Sequence, residues 1–116
     1  MANISVVAVL ACWPIAASAA CVSFGGFGDG ECTGPVAELT FFPGDSRLYI
    51  RLAGANVQDV CSVGPYIKLD RTFVSNFPDL FQMLLLATAT QQTVSMPTFD
   101  NGTGGCLAKG GVALIP

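Results

Sequence analysis

Histidine is absent from this 116-residue chain, and with it the side chain that most often works as a general base or metal ligand near neutral pH. Cations are scarce, five lysines and arginines against eight carboxylates, for a net charge of −3. No two of the five are adjacent, so the basic cluster that a phosphate backbone requires is missing and no nucleic-acid partner is expected. No C-x-x-C pair occurs either, which removes the common zinc sites; no metal or cofactor is expected. The carboxylates are scattered through turns (Asp29, Asp45, Asp59, Asp100) and element ends. Nothing in their spacing singles out a pair for glycoside hydrolysis, and the chain reads as a non-enzyme. Outside the first twenty residues the most apolar stretch is "FPDLFQMLLLATATQQTVSM", Phe77 to Met96. Its dense part, Leu80 to Ala87, contains Gln82 and gives way to Thr88, Thr90, Gln91 and Gln92. That falls short of the roughly 20 consecutive apolar residues of a bilayer span, so no membrane span is expected.

What is present begins with "MANISVVAVLACWPIAASAA". An apolar core from Ile4 to Trp13, a helix-breaking Pro14 and then small residues give residues 1–20 the form of a secretory signal, although no Lys or Arg precedes the core. Cleavage is expected after Ala19 or Ala20, leaving residues 21–116 as one small domain, secreted or periplasmic. Cys12 departs with the leader. The remaining Cys21, Cys32, Cys61 and Cys106 are an even set in a small exported chain, which points to two disulfides. Of three possible pairings, Cys21–Cys32 with Cys61–Cys106 is favoured: the first closes a Gly-rich loop and the second joins the starts of two predicted strands. Loops of those sizes contribute about 3 and about 4 kcal/mol in the chain-entropy account. The rival reading makes Cys21 a lipidated first residue, but "SAAC" carries Ser18 where a Leu-like residue belongs.

Along the mature chain, Cys21 to Pro35 ("CVSFGGFGDGECTGP") reads as a loop. Its "GGFGDG" lacks the flanking strand, helix and lysine of a phosphate cradle. "VAELTFF", a "PGDS" turn and "RLYIRLAG" form a hairpin, with Leu48, Ile50 and Leu52 facing one way and Arg47, Tyr49 and Arg51 the other. "PYIKLD" repeats the alternation, Ile67 and Leu69 inward. "SNFPDL" supplies a helix start, with Asn76 as N-cap, Pro78 in the first turn and Asp79 complementing the positive end. The helix is expected from Phe77 to Thr90, with Phe77, Leu80, Phe81, Leu84 and Leu85 as its main stripe. Then come "TVSMPTF", which Pro97 makes an edge strand or bends, a "DNGTGG" turn, and a last strand in "GGVALI". The fold class is therefore mainly β with one central helix (α+β), in the order strand, strand, strand, helix, strand, strand.

Three polar groupings stand out. Tyr49 and Arg51, with Tyr66 and Lys68 on a neighbouring strand, could bind a sugar or an acidic group, or form a solvated face or subunit contact. Asp100, Asn101 and Gly102 read as a hairpin turn rather than a calcium site, since too few carboxylates follow. "NGT" at Asn101 is a glycosylation sequon in a eukaryotic host. Met83, Leu86 and Ala87 extend apolar surface beyond the helix stripe, so an oligomer interface is expected there.

The succession "RLYIRLAG", Cys61, "PYIKLDRT", "FPDLFQMLLLATATQQTVSM", Cys106, "GGVALI", spanning Pro35 to Pro116, resembles the receptor-binding B subunits of ring-forming bacterial toxins, the subtilase cytotoxin B and pertussis-like group. In that group a central helix ends in a polar turn before a Val-containing strand, and a cysteine shortly precedes the last strand. Gln91 and Gln92 stand where the family often carries Gly-Lys. The resemblance implies a small barrel of the oligonucleotide/oligosaccharide-binding (OB) type with about five strands, assembled as a homo-oligomer, a pentamer, with the helices lining its pore. The expected function is a secreted glycan- or receptor-binding module, with a toxin A-like subunit as a possible partner; the competing expectation is a disulfide-stabilised structural or protein-interaction domain, or a small secreted effector, that binds no glycan.

Overall fold

In the computed structural model the described residues are 19–24, 28–62, 64–100, 102 and 105–115. The signal segment through Ser18 and the sequon at Asn101 lie outside them. Within these residues, seven strands and one α-helix follow in order: β1 Ala20–Ser23, β2 Asp29–Phe41, β3 Arg47–Leu52, β4 Ile67–Asp70, α1 Phe77–Thr90, β5 Thr93–Asp100, β6 Cys106–Ala108 and β7 Ala113–Ile115. The domain is thus mainly β with one helix. A 3-10 turn, Val57–Asp59, precedes β4; Asn56 caps it by accepting the Gln58 N–H.

The strand order is β1-β2-β3-β4-β6-β5-β7, and β2 also pairs with β5. The pairings β2–β3–β4–β6–β5 therefore return to β2. All are antiparallel except β4–β6. The length of β2 makes this possible. Its first half, Asp29 to Pro35, lies against β5, and its second half, Val36 to Phe41, lies against β3. A register shift between Val36 and Glu38 marks the change of partner, as a β-bulge bends a strand.

Alternation fixes the inner face. Leu48, Ile50 and Leu52 of β3 and Ile67 and Leu69 of β4 are buried, with Val94 and Met96 of β5, and Leu80, Leu84 and Ala87 of α1 close over them. The helix has its expected bounds and ends where Gln91 turns left-handed at φ 55°. Its inner surface differs from expectation. Leu85 is 46% exposed, whereas Ala87, expected at an interface, is fully buried in the chain's own core. Asn76 stands at the N-cap position but makes no side-chain cap; its Nδ2 instead donates to the Gly110 carbonyl at 3.3 Å.

Three further expectations are corrected. The segment Cys21 to Pro35 is a hairpin of β1 with the start of β2, not a loop; its Gly25, Gly26 and Phe27 lie outside the described residues. Of the expected last strand "GGVALI" only Ala113–Ile115 is strand, β7, beside the start of β5, and a strand not expected, β6, precedes it beside β5 and β4. Finally, β5 is interior. Pro97 sits between Ser95, the last residue paired to β7, and Thr98, the first paired to β6, so its missing N–H falls where that edge changes partner.

Both disulfides form, Cys21–Cys32 and Cys61–Cys106. Cys21 and Cys32 face each other across the β1–β2 hairpin, while Cys61 anchors the segment leading into β4 to the first residue of β6. Two such bridges are compatible with an oxidising, exported compartment. Among the described residues, no helix is long and apolar enough to cross a membrane.

Candidate functional site

The same alternation that buries Leu48, Ile50 and Leu52 turns Arg47, Tyr49 and Arg51 outward. The register aligns them with neighbours: Glu38 of β2 opposite Arg51, Thr40 opposite Tyr49, and Tyr49 opposite Lys68 of β4. Tyr66 precedes β4 and meets Tyr49 edge-on, with ring centroids 5.7 Å apart. The four residues singled out in the sequence, Tyr49, Arg51, Tyr66 and Lys68, are thus brought to one face.

Glu38 is the hub of that face, although nothing in its local sequence marks it. Its Oε2 accepts the Thr40 hydroxyl at 2.7 Å and the Tyr66 hydroxyl at 3.0 Å, while Oε1 accepts Arg51 Nε at 3.2 Å. The Thr40 hydrogen bond first, then those from Tyr66 and Arg51, hold the Glu38 carboxyl below its ordinary value. Tyr49 is fixed from several sides. Its hydroxyl donates to Asp45 Oδ2 at 2.7 Å, Phe42 packs edge-on at 4.9 Å, and the Lys68 ammonium lies over its ring at 5.5 Å. Donation to Asp45 and to Glu38 pushes the Tyr49 and Tyr66 phenols up, so both remain protonated donors.

At the margin, Arg47 Nε reaches Asp70 Oδ2 at 3.4 Å. Burial is the largest single influence on Asp70 and raises its pKa, but hydrogen bonds from Thr72, Arg47 and Ser46 together hold it below the usual carboxylate value. The face therefore carries phenols, an ammonium and ion-paired carboxylates, a set suited to hydrogen bonding and ring stacking.

The other groupings fare differently. Asp100 forms a turn, with Oδ1 accepting the Gly102 N–H at 2.9 Å. Its Oδ2 accepts both the N–H and the hydroxyl of Ser62, at 2.9 and 2.8 Å, tying the Cys61 segment to the end of β5. The Ser62 and Gly102 N–H groups, foremost, hold this carboxyl low. Among the described residues no group of three potential metal ligands occurs. On the helix, Leu86 is 51% exposed and Met83 is half-buried; with Ala87 buried, Leu85 takes its place on the outer surface. Comparison with known protein families, curated proteins and solved structures returns no match.

Proposed function

We propose that the protein is an exported, non-enzymatic carbohydrate-binding module built as a small OB-type barrel, taking a neutral glycan on the outer face of β3 and β4. One coincidence carries the reading. The five strands β2, β3, β4, β5 and β6 pair in the circuit expected of a five-stranded Greek-key barrel, with α1 between the third and fourth. In OB folds the face of the second and third strands, with the loop joining the first two, takes oligosaccharides or oligonucleotides. Those strands here are β3 and β4, and that loop contributes Phe42 and Asp45.

The charge pattern narrows the ligand. Glu38 pairs with Arg51 and Asp70 with Arg47, so little net positive charge is left for a polyanion, whereas phenols, carboxylates and ring surfaces suit sugar hydroxyls and C–H faces. A glycan array with the full chain, followed by titration of the hits against Tyr66→Ala, is the test. Binding to neutral glycans that Tyr66→Ala weakens at least about tenfold, the scale of 1.4 kcal/mol, is expected. Glycan binding that ignores Tyr66→Ala, or none on the array, overturns the reading.

A second reading, assembly of copies into a ring as in toxin B subunits, is favoured by the outer helix surface of Met83, Leu85 and Leu86. An apolar patch of this kind is commonly an interface. Light scattering at micromolar concentration should give a homo-oligomer, a pentamer on the toxin analogy, and Leu86→Glu should return it to monomer; a monomer at every concentration removes this reading. An A-like subunit enters only if the ring forms.

A further inference from the structure

The last residue of β2, Phe41, and the residue that follows it, Phe42, send their rings to opposite sides. Phe42 joins Tyr49 on the face described above, while Phe41 meets Phe77 and Phe81 of α1. Phe77 and Phe81 stack nearly parallel, with centroids 6.1 Å apart, and Phe41 closes the triangle at 6.3 and 5.5 Å. These rings, with Val74, Ser75 and Arg71, line an open cleft of about 540 Å³. That lies within the range of small-molecule sites, which are mainly apolar with a few placed polar groups.

Arg71 gives the cleft its chemical preference. Its guanidinium carbon lies 5.6 Å from the Phe41 ring centroid and 5.1 Å from that of Phe77. Among the described residues it forms no ion pair, and no carboxylate lines the cleft. A guanidinium resting on ring faces is held in position yet keeps its N–H donors, which lie in its own plane and match a carboxylate in two-pronged fashion. The cleft thus combines an apolar floor with one positioned cation lacking a counter-ion.

We propose that this cleft is a second binding site, for a small carboxylate with an apolar body, its head on Arg71 and its body against Phe41, Phe77 and Phe81. Glycan recognition plays no part in it. The site lies across β2 from Tyr49 and Tyr66, and neither tyrosine lines it.

The experiment is an NMR titration of the isotopically labelled full chain with phenylacetate, indole-3-acetate and octanoate, using phenylacetamide and acetate as controls. At least one apolar carboxylate should shift the Phe41, Phe77, Phe81 and Val74 signals and the Arg71 Nε–H. Phenylacetamide, without the charge, and acetate, without the body, should bind at least about tenfold more weakly, as expected for losing a charge-assisted hydrogen bond or a buried ring. Arg71→Gln, a change at an exposed position, should reduce carboxylate affinity by a similar factor and leave phenylacetamide unaffected. Phe41→Ser should weaken both, and Tyr66→Ala neither. The proposal fails if none of the three carboxylates binds at tens of millimolar, if amide and acid bind alike, or if Arg71→Gln leaves the carboxylate affinity unchanged.

Discussion

Two aromatic clusters with cations lie on either side of β2, and they differ in how their charges are met. On the outer face of β3 and β4, Arg51 and Arg47 have carboxylate partners and both tyrosine hydroxyls have acceptors. In the cleft at the start of α1, Arg71 rests on two phenylalanine rings and, among the described residues, has no ion-pair partner. The first is a closed network that holds its own shape, so a ligand there must be able to donate and accept as its members do. The second is an incomplete pair, and the missing half specifies the sign of what completes it. Similar residue types thus differ in charge balance: Glu38, Asp45 and Asp70 meet the donors of the outer face, whereas no carboxylate lines the cleft.

Removing what the two clusters share should have the largest effect. Leu84, on the inner face of α1, is fully buried, and Leu84→Asp places an unpaired carboxylate there. We expect a loss exceeding about 4 kcal/mol, enough to abolish folding of a small domain; a cooperative melt of the mutant by circular dichroism would show that the clusters do not depend on this core. Next, the double change Cys61→Ser, Cys106→Ser should lower stability by about 4 kcal/mol in denaturant titration, from the loop it opens. Because Cys61 leads toward Tyr66 and β4, the Tyr66 signals should broaden before those of Phe77.

A smaller change separates the clusters outright. Glu38→Gln should release Arg51 and Tyr66 with little change in melting temperature, seen as averaging of their side-chain resonances, while the Phe41–Phe77–Phe81 signals stay in place. An acid titration should act likewise. With its folded-state pKa held below the ordinary value of about 4.5, Glu38 contributes its stabilisation above the unfolded value and loses it as pH falls through the folded one. For the tyrosines the sign reverses: their pKa values are raised above 10, so their contribution is intact below 10 and lost as pH climbs through the raised values. The cleft, lined by no carboxylate or phenol, should answer to neither limb. Smallest of all, Arg71→Gln removes cation–π contacts worth about 0.5–1 kcal/mol at exposed sites, and thermal denaturation should barely register it.

Much of this was legible in the chain. "RLYIRL" and "PYIKLD" showed which side chains face outward, because large apolar residues alternate with polar ones, and "SNFPDLFQMLLLATAT" marked the helix to its bounds. The start of β2 was not legible, for a physical reason. Its burial alternates through Gly30, Cys32 and Gly34, but two of these have no side chain, so a periodicity of hydrophobicity had nothing to register. Glycine is required there by proximity: a Cβ on Gly30 would stand 2.4 Å from the Val22 carbonyl oxygen and 2.6 Å from a Val60 methyl. Glu38 was invisible for another reason. A lone glutamate in "VAELTFF" becomes a hub only once the register sets it opposite Arg51 and beside Tyr66, 28 residues away. The cleft is less legible still, since Phe41, Arg71 and Phe81 meet only through tertiary packing. The reading of Leu85 and Ala87 erred by one step around the helix, which periodicity alone does not resolve when both flanks are apolar.

The short strand β1 has a bearing on how the protein must be handled. It covers one backbone edge of β2 from Gly30 to Thr33, and apart from hydrogen bonds it is pinned there by Cys21–Cys32. Its own outward side chains include Val22, 56% exposed. In a reducing buffer the pin opens, β1 can peel away, and a row of unpaired N–H and C=O groups becomes a template for the next molecule. Purification under thiol reductant should therefore yield precipitate that grows with time and concentration, while the same protein kept oxidised stays clear.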